Sequence, residues 1–261
     1  MNSDSGSLLN VETSVNFPDN IMAVEMEHLS KSFGKNCVLK DVSFRIKKGE
    51  NLVILGKSGS GKSVLIKCLA GLVEHEQGAL VILGKRMSDL DKKERIEIRK
   101  KIGFLFQSGA LYDSMSVKEN LEFPLKKALR LKSKEKIKSL VEEALKNIGL
   151  SKAIDKMPSE LSGGMRKRLS LARTLILQPE IILYDEPTTG LDPITSKEIS
   201  HLILDVQKKY NTSSIIITHD MDCARITANR VIVLKDGHFF AEGTFEELEN
   251  SEDEWIRSFF D

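Results

Sequence analysis

One stretch, Gly56-Lys57-Ser58-Gly59-Ser60-Gly61-Lys62-Ser63, limits the fold of this chain more than any other. Its spacing is G-x-x-x-x-G-K-[ST]. It lies between Asn51–Leu55, which reads as a buried strand, and Val64–Leu72, which reads as a helix. Phosphate oxygens carry dense negative charge. A glycine-rich turn lets successive backbone N–H groups point inward with no Cβ in the way, and the helix that follows adds the positive end of its dipole. Lys62 can reach the outer phosphates of a nucleotide, and the Ser63 hydroxyl can ligate Mg²⁺. Gly56, Ser58, Gly59, Ser60, Gly61, Lys62 and Ser63 are therefore the expected phosphate-binding set.

The rest of the chain supplies strands in series: Ala23–His28, Val42–Ile46, Ala79–Leu83, Ile102–Phe106, Ile181–Tyr184, Ser214–Thr218 and Val231–Leu234. Several are continuously apolar and β-branched, as expected of strands covered on both faces. The first two alternate apolar and polar residues, which predicts a half-exposed antiparallel sheet. Between Ser116 and Leu177 the strand signal fades. Lys132 to Ile148 carries a helical stripe of Ile137, Leu140, Val141, Ala144, Leu145 and Ile148, with Gly149 as its stop. A helical insert over about residues 108–176 is expected to interrupt an α/β core. The apolar strand Ile181–Tyr184 ends in two adjacent acids, Asp185 and Glu186. A carboxylate at such a tip can order Mg²⁺, which suits Asp185. Glu186, swung by the turn at Pro187, can polarise an attacking water.

Composition narrows the class. With 261 residues, 41% of them hydrophobic and 30% charged, the chain can bury one sizeable core, and a formal charge of +1 gives no electrostatic case for nucleic acid. Cys37, Cys68 and Cys223 form no CxxC pair and read as small buried hydrophobes in a reducing compartment. No run approaches the ~20 apolar residues of a membrane span. Residues 1–21, rich in Ser, Asn and Asp, lack the pattern of a secretory signal and are expected to be a disordered lead-in.

Leu161-Ser162-Gly163-Gly164-Met165, shortly before Asp185-Glu186, adds a second anion-binding surface: a serine, two glycines and the start of a helix over Met165–Leu177. Here the chain resembles the ATP-binding cassette (ABC) family, whose signature begins Leu-Ser-Gly-Gly and stands in this order. Gln107 after its strand resembles the Q-loop glutamine, Gly190-Leu191-Asp192 the D-loop, His219 the switch histidine, and Phe33 with Val38 the adenine-side residues. The resemblance spans about Met22 to Glu247. It implies a P-loop NTPase (RecA-like) α/β core with an antiparallel β subdomain and an inserted α-helical subdomain. The cassette would occupy 22–250, followed by a C-terminal tail at 251–261. It also implies ATP and Mg²⁺ as ligands. Glu186, His219, Gln107 and Lys62 would serve hydrolysis, while Ser63, Gln107 and Asp185 would hold the metal. In a head-to-tail homodimer, Ser162, Gly163 and Gly164 of one copy would close over ATP held by the other, with Asp192 at the seam.

The fifth signature position departs from the usual glutamine or glutamate: it is Met165, followed by Arg166-Lys167-Arg168. In this the chain is similar to the ATPases of Mla/Mce-type phospholipid transporters. So are the segment Phe106 to Asp113, its continuation Asn120 to Leu125, and the end Glu254 to Phe260. That likeness implies a peripheral protein on the cytoplasmic face of the inner membrane. Its partners would be an integral-membrane, MlaE-like permease and an Mce-domain lipid-binding protein, with residues 108–125 as the docking surface. Another transported substrate and a soluble iron–sulfur assembly ATPase stay open; Glu186 argues against a nucleotide-dependent regulator without turnover, which need not keep a water-polarising acid. A DNA-repair ATPase is disfavoured, because the interval from Ser63 to Leu161 holds no long heptad run or cysteine pair.

Overall fold

The computed structural model describes residues 22–260; the expected lead-in at 1–21 lies outside them. The chain opens with β1 (Met22–Phe33), β2 (Asn36–Lys47) and β3 (Asn51–Leu55), then α1 (Lys62–Leu69), β4 (Gln77–Ile82), β5 (Lys85–Arg86), α2 (Lys92–Lys100) and β6 (Ile102–Leu105). Three helices follow: α3 (Val117–Lys127), α4 (Lys134–Asn147) and α5 (Gly163–Leu175). The last third is β7 (Ile181–Asp185), α6 (Pro193–Tyr210), β8 (Ser213–Ile217), α7 (Met221–Thr227), β9 (Arg230–Lys235), β10 (His238–Gly243), α8 (Phe245–Glu249) and α9 (Glu254–Arg257).

Among the described residues the strands form two sheets. One is antiparallel with order β2-β1-β4-β5, as the alternating pattern of its first strands predicts. The other has order β10-β9-β3-β8-β7-β6, with every pairing parallel except the antiparallel edge β10–β9. Because side chains alternate along a strand, β3 feeds two cores. Leu52 and Ile54 face a core shared with α1 and the antiparallel sheet, including Met26, Leu29, Leu65 and Ile66. Val53 and Leu55 face a second core with Ile199, Ile203 and Val206 of α6 and with α8. A third core, built from Val117, Leu121, Leu125, Ile137, Val141, Leu145 and Leu169, joins α3, α4 and α5. Gly149 (φ +70) follows α4 in the left-handed conformation that the helix stop requires.

Several elements escape the sequence patterns, β10 and α6 among them. The edge strand β10 has a half-exposed face and a weak apolar period. The 18-residue α6 mixes Ser, Thr and Lys along its length, so its buried face (Ile199, Ile203, Val206) is diluted. The cysteine expectation needs one correction. Cys68 and Cys223 are buried, but Cys37 is exposed near the β1–β2 turn, where it packs into no core. Truncating Ile54, which is 0% exposed at the centre of the larger sheet, opens a cavity the surrounding strands cannot close. Ile54→Ala is expected to cost about 2–5 kcal/mol, read as a lower midpoint in urea unfolding with unchanged slope.

Candidate functional site

The site forms where the parallel strands end. β3 stops at Leu55, and the loop to α1 turns with φ of +80° at Gly59 and +108° at Gly61, a region that side chains rarely adopt. At Gly56 the constraint is space: a Cβ there would sit 2.5 Å from the Leu234 carbonyl oxygen. α1 starts at Lys62, whose Nζ donates to the carbonyl oxygens of Gly56 (2.6 Å) and Lys57 (3.1 Å) and so spans the loop from below. Burial holds the Lys62 ammonium below the usual lysine range, against the pull of Glu186 and Asp185.

A cavity of about 750 Å³ opens over this loop. Val38, Gly56, Ser58, Gly59, Gly61, Lys62, Ser63, Gln107, Asp185, Glu186 and His219 all line it. These residues lie up to 181 positions apart in sequence (219 − 38) and are brought together by the adjacent ends of β3, β6, β7 and β8. Burial, and then its neighbour Glu186, push the Asp185 carboxyl above the usual carboxylate range, with Lys67, Lys62 and Lys167 opposing.

Glu186 carries an uncommon backbone conformation, with φ +52°. Its amide donates to the Ile217 carbonyl of β8 (2.9 Å). Its Oε2 lies 2.7 Å from His219 Nδ1 and accepts a bond from Thr189 Oγ1 (3.2 Å). A carboxylate only accepts, so the His219 proton sits on Nδ1. The pair places a half-buried carboxylate and an exposed imidazole side by side on the cavity wall. That geometry can orient and deprotonate a water facing a terminal phosphate.

Other predicted residues stand elsewhere. Phe33 lies outside the cavity wall; it is 51% exposed and has Lys31 Nζ 4.9 Å from its ring centre. Ser60 is buried under the loop. Ser162, Gly163, Gly164 and Asp192 form a separate corner. Ser162 Oγ caps α5 by accepting from the Met165 amide (3.2 Å), and Asp192 caps α6 through the amides of Ile194 and Thr195. A Cβ on Gly164 would stand 2.5 Å from Thr195 Cγ2, and one on Gly163 would stand 3.3 Å from Leu191 Cδ2. The glycine pair lets the two helix starts touch. Sequence reasoning missed several residues near the site. Ser258 and Phe259 of the tail reach the cavity wall. Buried Lys167 stands behind the site; Ser170, Leu171 and Ala172 are all buried one turn on, so spacing does not mark which of Arg166, Lys167 and Arg168 turns inward. Asn120 is fully buried: it accepts from the Tyr112 amide and donates to the carbonyls of Tyr112, Met115 and Ser116, fixing that loop.

A family model described as ABC transporter matches residues 39–189, more than half of the chain. This chain belongs to the ABC transporter family. It is 41% identical over 238 residues to the probable ribonucleotide transport ATP-binding protein mkl of Mycobacterium leprae, covering 91% of this chain and 68% of that protein. It is 37% identical over 230 residues to the intermembrane phospholipid transport system ATP-binding protein MlaF of Haemophilus influenzae, covering 88% and 87% of the two chains. Among solved structures it matches the ATP-binding cassette MJ0796, determined as a dimer in a post-hydrolysis state with ADP and Pi. The TM-score is 0.77 at 34% identity, over 85% of this chain and 98% of that one. The chain is therefore the ATP-binding subunit of an ABC transporter, an ATPase with the P-loop NTPase fold.

Two substitutions test the expectation that Lys62 holds the nucleotide and Glu186 serves its hydrolysis. Lys62→Ala is expected to weaken ATP binding by about tenfold to a hundredfold, the worth of one charge-assisted hydrogen bond. Glu186→Gln keeps the shape of the site and is expected to leave ATP affinity within a few-fold while turnover falls by about 10²–10⁴. Equilibrium binding of a fluorescent ATP analogue, set beside phosphate release, reads both.

Proposed function

We propose that this ATPase powers the movement of lipid, phospholipid above other classes, as the peripheral motor of a permease on the cytoplasmic face of the inner membrane. The observation that carries this reading is Met165 in the place of the usual signature glutamine, in a chain that matches nearly the whole of an MlaF protein. The higher identity to mkl, a probable ribonucleotide transport protein by name, keeps a different cargo as the second reading. The division into a lead-in at 1–21, a cassette at 22–250 and a tail at 251–261 belongs to the same proposal.

In this reading the loop from Gly56 to Ser63 holds the phosphates. The cavity offers a hydroxyl, an amide and a carboxylate from Ser63, Gln107 and Asp185. Among the described residues no three His, Cys, Asp or Glu side chains are arranged to hold a metal ion by themselves. That donor set fits Mg²⁺, which prefers one or two carboxylates together with substrate phosphates and water. Bound there, the metal would neutralise charge building on the phosphoryl oxygens. Glu186 takes the water's proton, and His219 orients both Glu186 and the terminal phosphate. Ser162, Gly163 and Gly164 lie outside their own cavity, so they are free to complete the site of a second copy in a two-fold dimer, with Asp192 at the seam. Ser162→Arg should abolish turnover while nucleotide binding to the isolated subunit survives. Full turnover by that variant would end the dimer reading.

The permease is proposed to dock beside the exit of β6. There Phe106, Gly109, Ala110, Pro124, Arg173 and Thr174 line a groove of about 210 Å³. Next to it Tyr112 is exposed, with Arg173 stacked 4.4 Å from its ring centre and Phe123 edge-on at 4.9 Å. Of the residues expected at this surface, Leu121 is wholly buried and Leu111 packs on the helical core, so neither is a clean probe. Tyr112→Glu is expected to reduce recovery of a co-expressed MlaE-like permease at least fivefold, the loss of about 1 kcal/mol or more at an interface aromatic, with ATP affinity unchanged. Reconstitution with that permease and an Mce-domain protein tests the cargo. Stimulation of the ATPase by phospholipid but not by ribonucleotides supports the lipid reading, and the reverse replaces it with the second.

A further inference from the structure

The helix that presents Ser162 also sends a lysine inward. Lys167 lies on the buried side of α5 and is 7% exposed. Its Nζ donates to the main-chain oxygens of Gln107 (2.6 Å) and Glu186 (3.3 Å). Among the described residues no carboxylate stands within ion-pair distance of it; Asp185 and Glu186 act on it only through space. A buried cation satisfied by two carbonyls, and by no acid, is costly to keep. The two carbonyls chosen are informative. One belongs to the residue that leaves β6 for the cavity. The other belongs to the residue whose backbone is held at φ +52° at the tip of β7.

Glu186 is thus gripped at both ends of its backbone. Its N–H donates to Ile217 of β8, and its carbonyl accepts from Lys167 of α5. A non-glycine residue in the left-handed region is strained and persists where its surroundings hold it there. Releasing the carbonyl lets that turn relax toward ordinary φ and swings the carboxylate off the cavity wall. Gln107, held by the same ammonium, would shift with it.

We propose that Lys167 is a positioning residue for hydrolysis: it pins the main chain of Glu186 and of Gln107 to the helix whose first turn carries Ser162. The Ser162 surface, offered to a second copy's nucleotide, and this subunit's own water-activating acid therefore lie on one rigid lever. The positioning of Glu186 stands on this chain alone. Only the link to a second nucleotide rests on the dimer proposed above.

The test compares Lys167→Met, which keeps length without charge or donors, with Lys167→Arg, which keeps both and offers a fork suited to two carbonyl acceptors. ATP-analogue affinity and steady-state ATPase are measured on each full-length variant, beside wild type and Ser162→Arg. The expected result for Lys167→Met is a kcat lower by about tenfold to a hundredfold, the effect of a displacement of roughly 1 Å. Nucleotide affinity should stay within twofold, and Lys167→Arg should recover most of the loss. A Lys167→Met kcat within twofold of wild type overturns the proposal. So does a parallel loss of affinity and kcat, which marks a merely structural lysine. Should the methionine variant be insoluble, Lys167→Gln, with a shorter amide NH₂ and no charge, is read against the same limits. A dead Ser162→Arg beside an unaffected Lys167→Met removes the lever and leaves the dimer. An active Ser162→Arg beside an impaired Lys167→Met removes the dimer and leaves the positioning of Glu186.

Discussion

Burial of the central parallel strands on both faces is the constraint from which the site follows. Asn51–Leu55, Ile181–Tyr184 and Ser213–Ile217 expose almost nothing to water. Held between two cores, these strands keep their register to within the alternation of single side chains. The loops that leave their carboxyl ends then emerge side by side. The glycine-rich loop, the paired acids and His219 owe their proximity to this. Each needs only a short excursion from a rigid strand end, so the constellation is positioned by the sheet and not by the loops themselves.

The polar groups beneath the site are arranged with equal economy. Lys62 bonds the very carbonyls that shape the loop it follows, and Lys167 bonds the carbonyls of two residues on the cavity wall. Asn51, 0% exposed in the first parallel strand, sends its amide to Gln207 of α6 and to the Thr227 carbonyl at the end of α7, tying the layers together below the site. Buried polar side chains in this protein mostly serve main-chain groups, which fixes backbone position where chemistry needs it.

Much of this was legible in the chain itself. Strands as apolar and uninterrupted as Ile181–Tyr184 leave little freedom, and the Gly-rich loop names its own ligand class through spacing. The convergence of Gln107, Asp185, Glu186 and His219 on one cavity could be expected from their places at strand ends. What escaped did so for physical reasons. The long helix α6 was hidden because it buries only one narrow stripe among Ser, Thr and Lys. Cys37 was misread because residue type predicts burial only on average, and a hairpin turn outweighs it. Lys167 looked like one more basic residue in Arg166-Lys167-Arg168, since sequence does not reveal which member of such a run points inward. The reach of Ser258 and Phe259 to the cavity depends on how α8 and α9 fold back, a long-range matter with no local signal.

The contact between Gly164 and Thr195 carries a consequence for how such a glycine pair is interpreted. A methyl group at Gly164 would stand 2.5 Å from Thr195 Cγ2, so any larger residue there must displace the Thr195 side chain before any nucleotide or second copy arrives. Selection acting there would be blind to which demand it was meeting. A motif admired for what it grips can owe its glycines, in part, to what it must avoid touching at home.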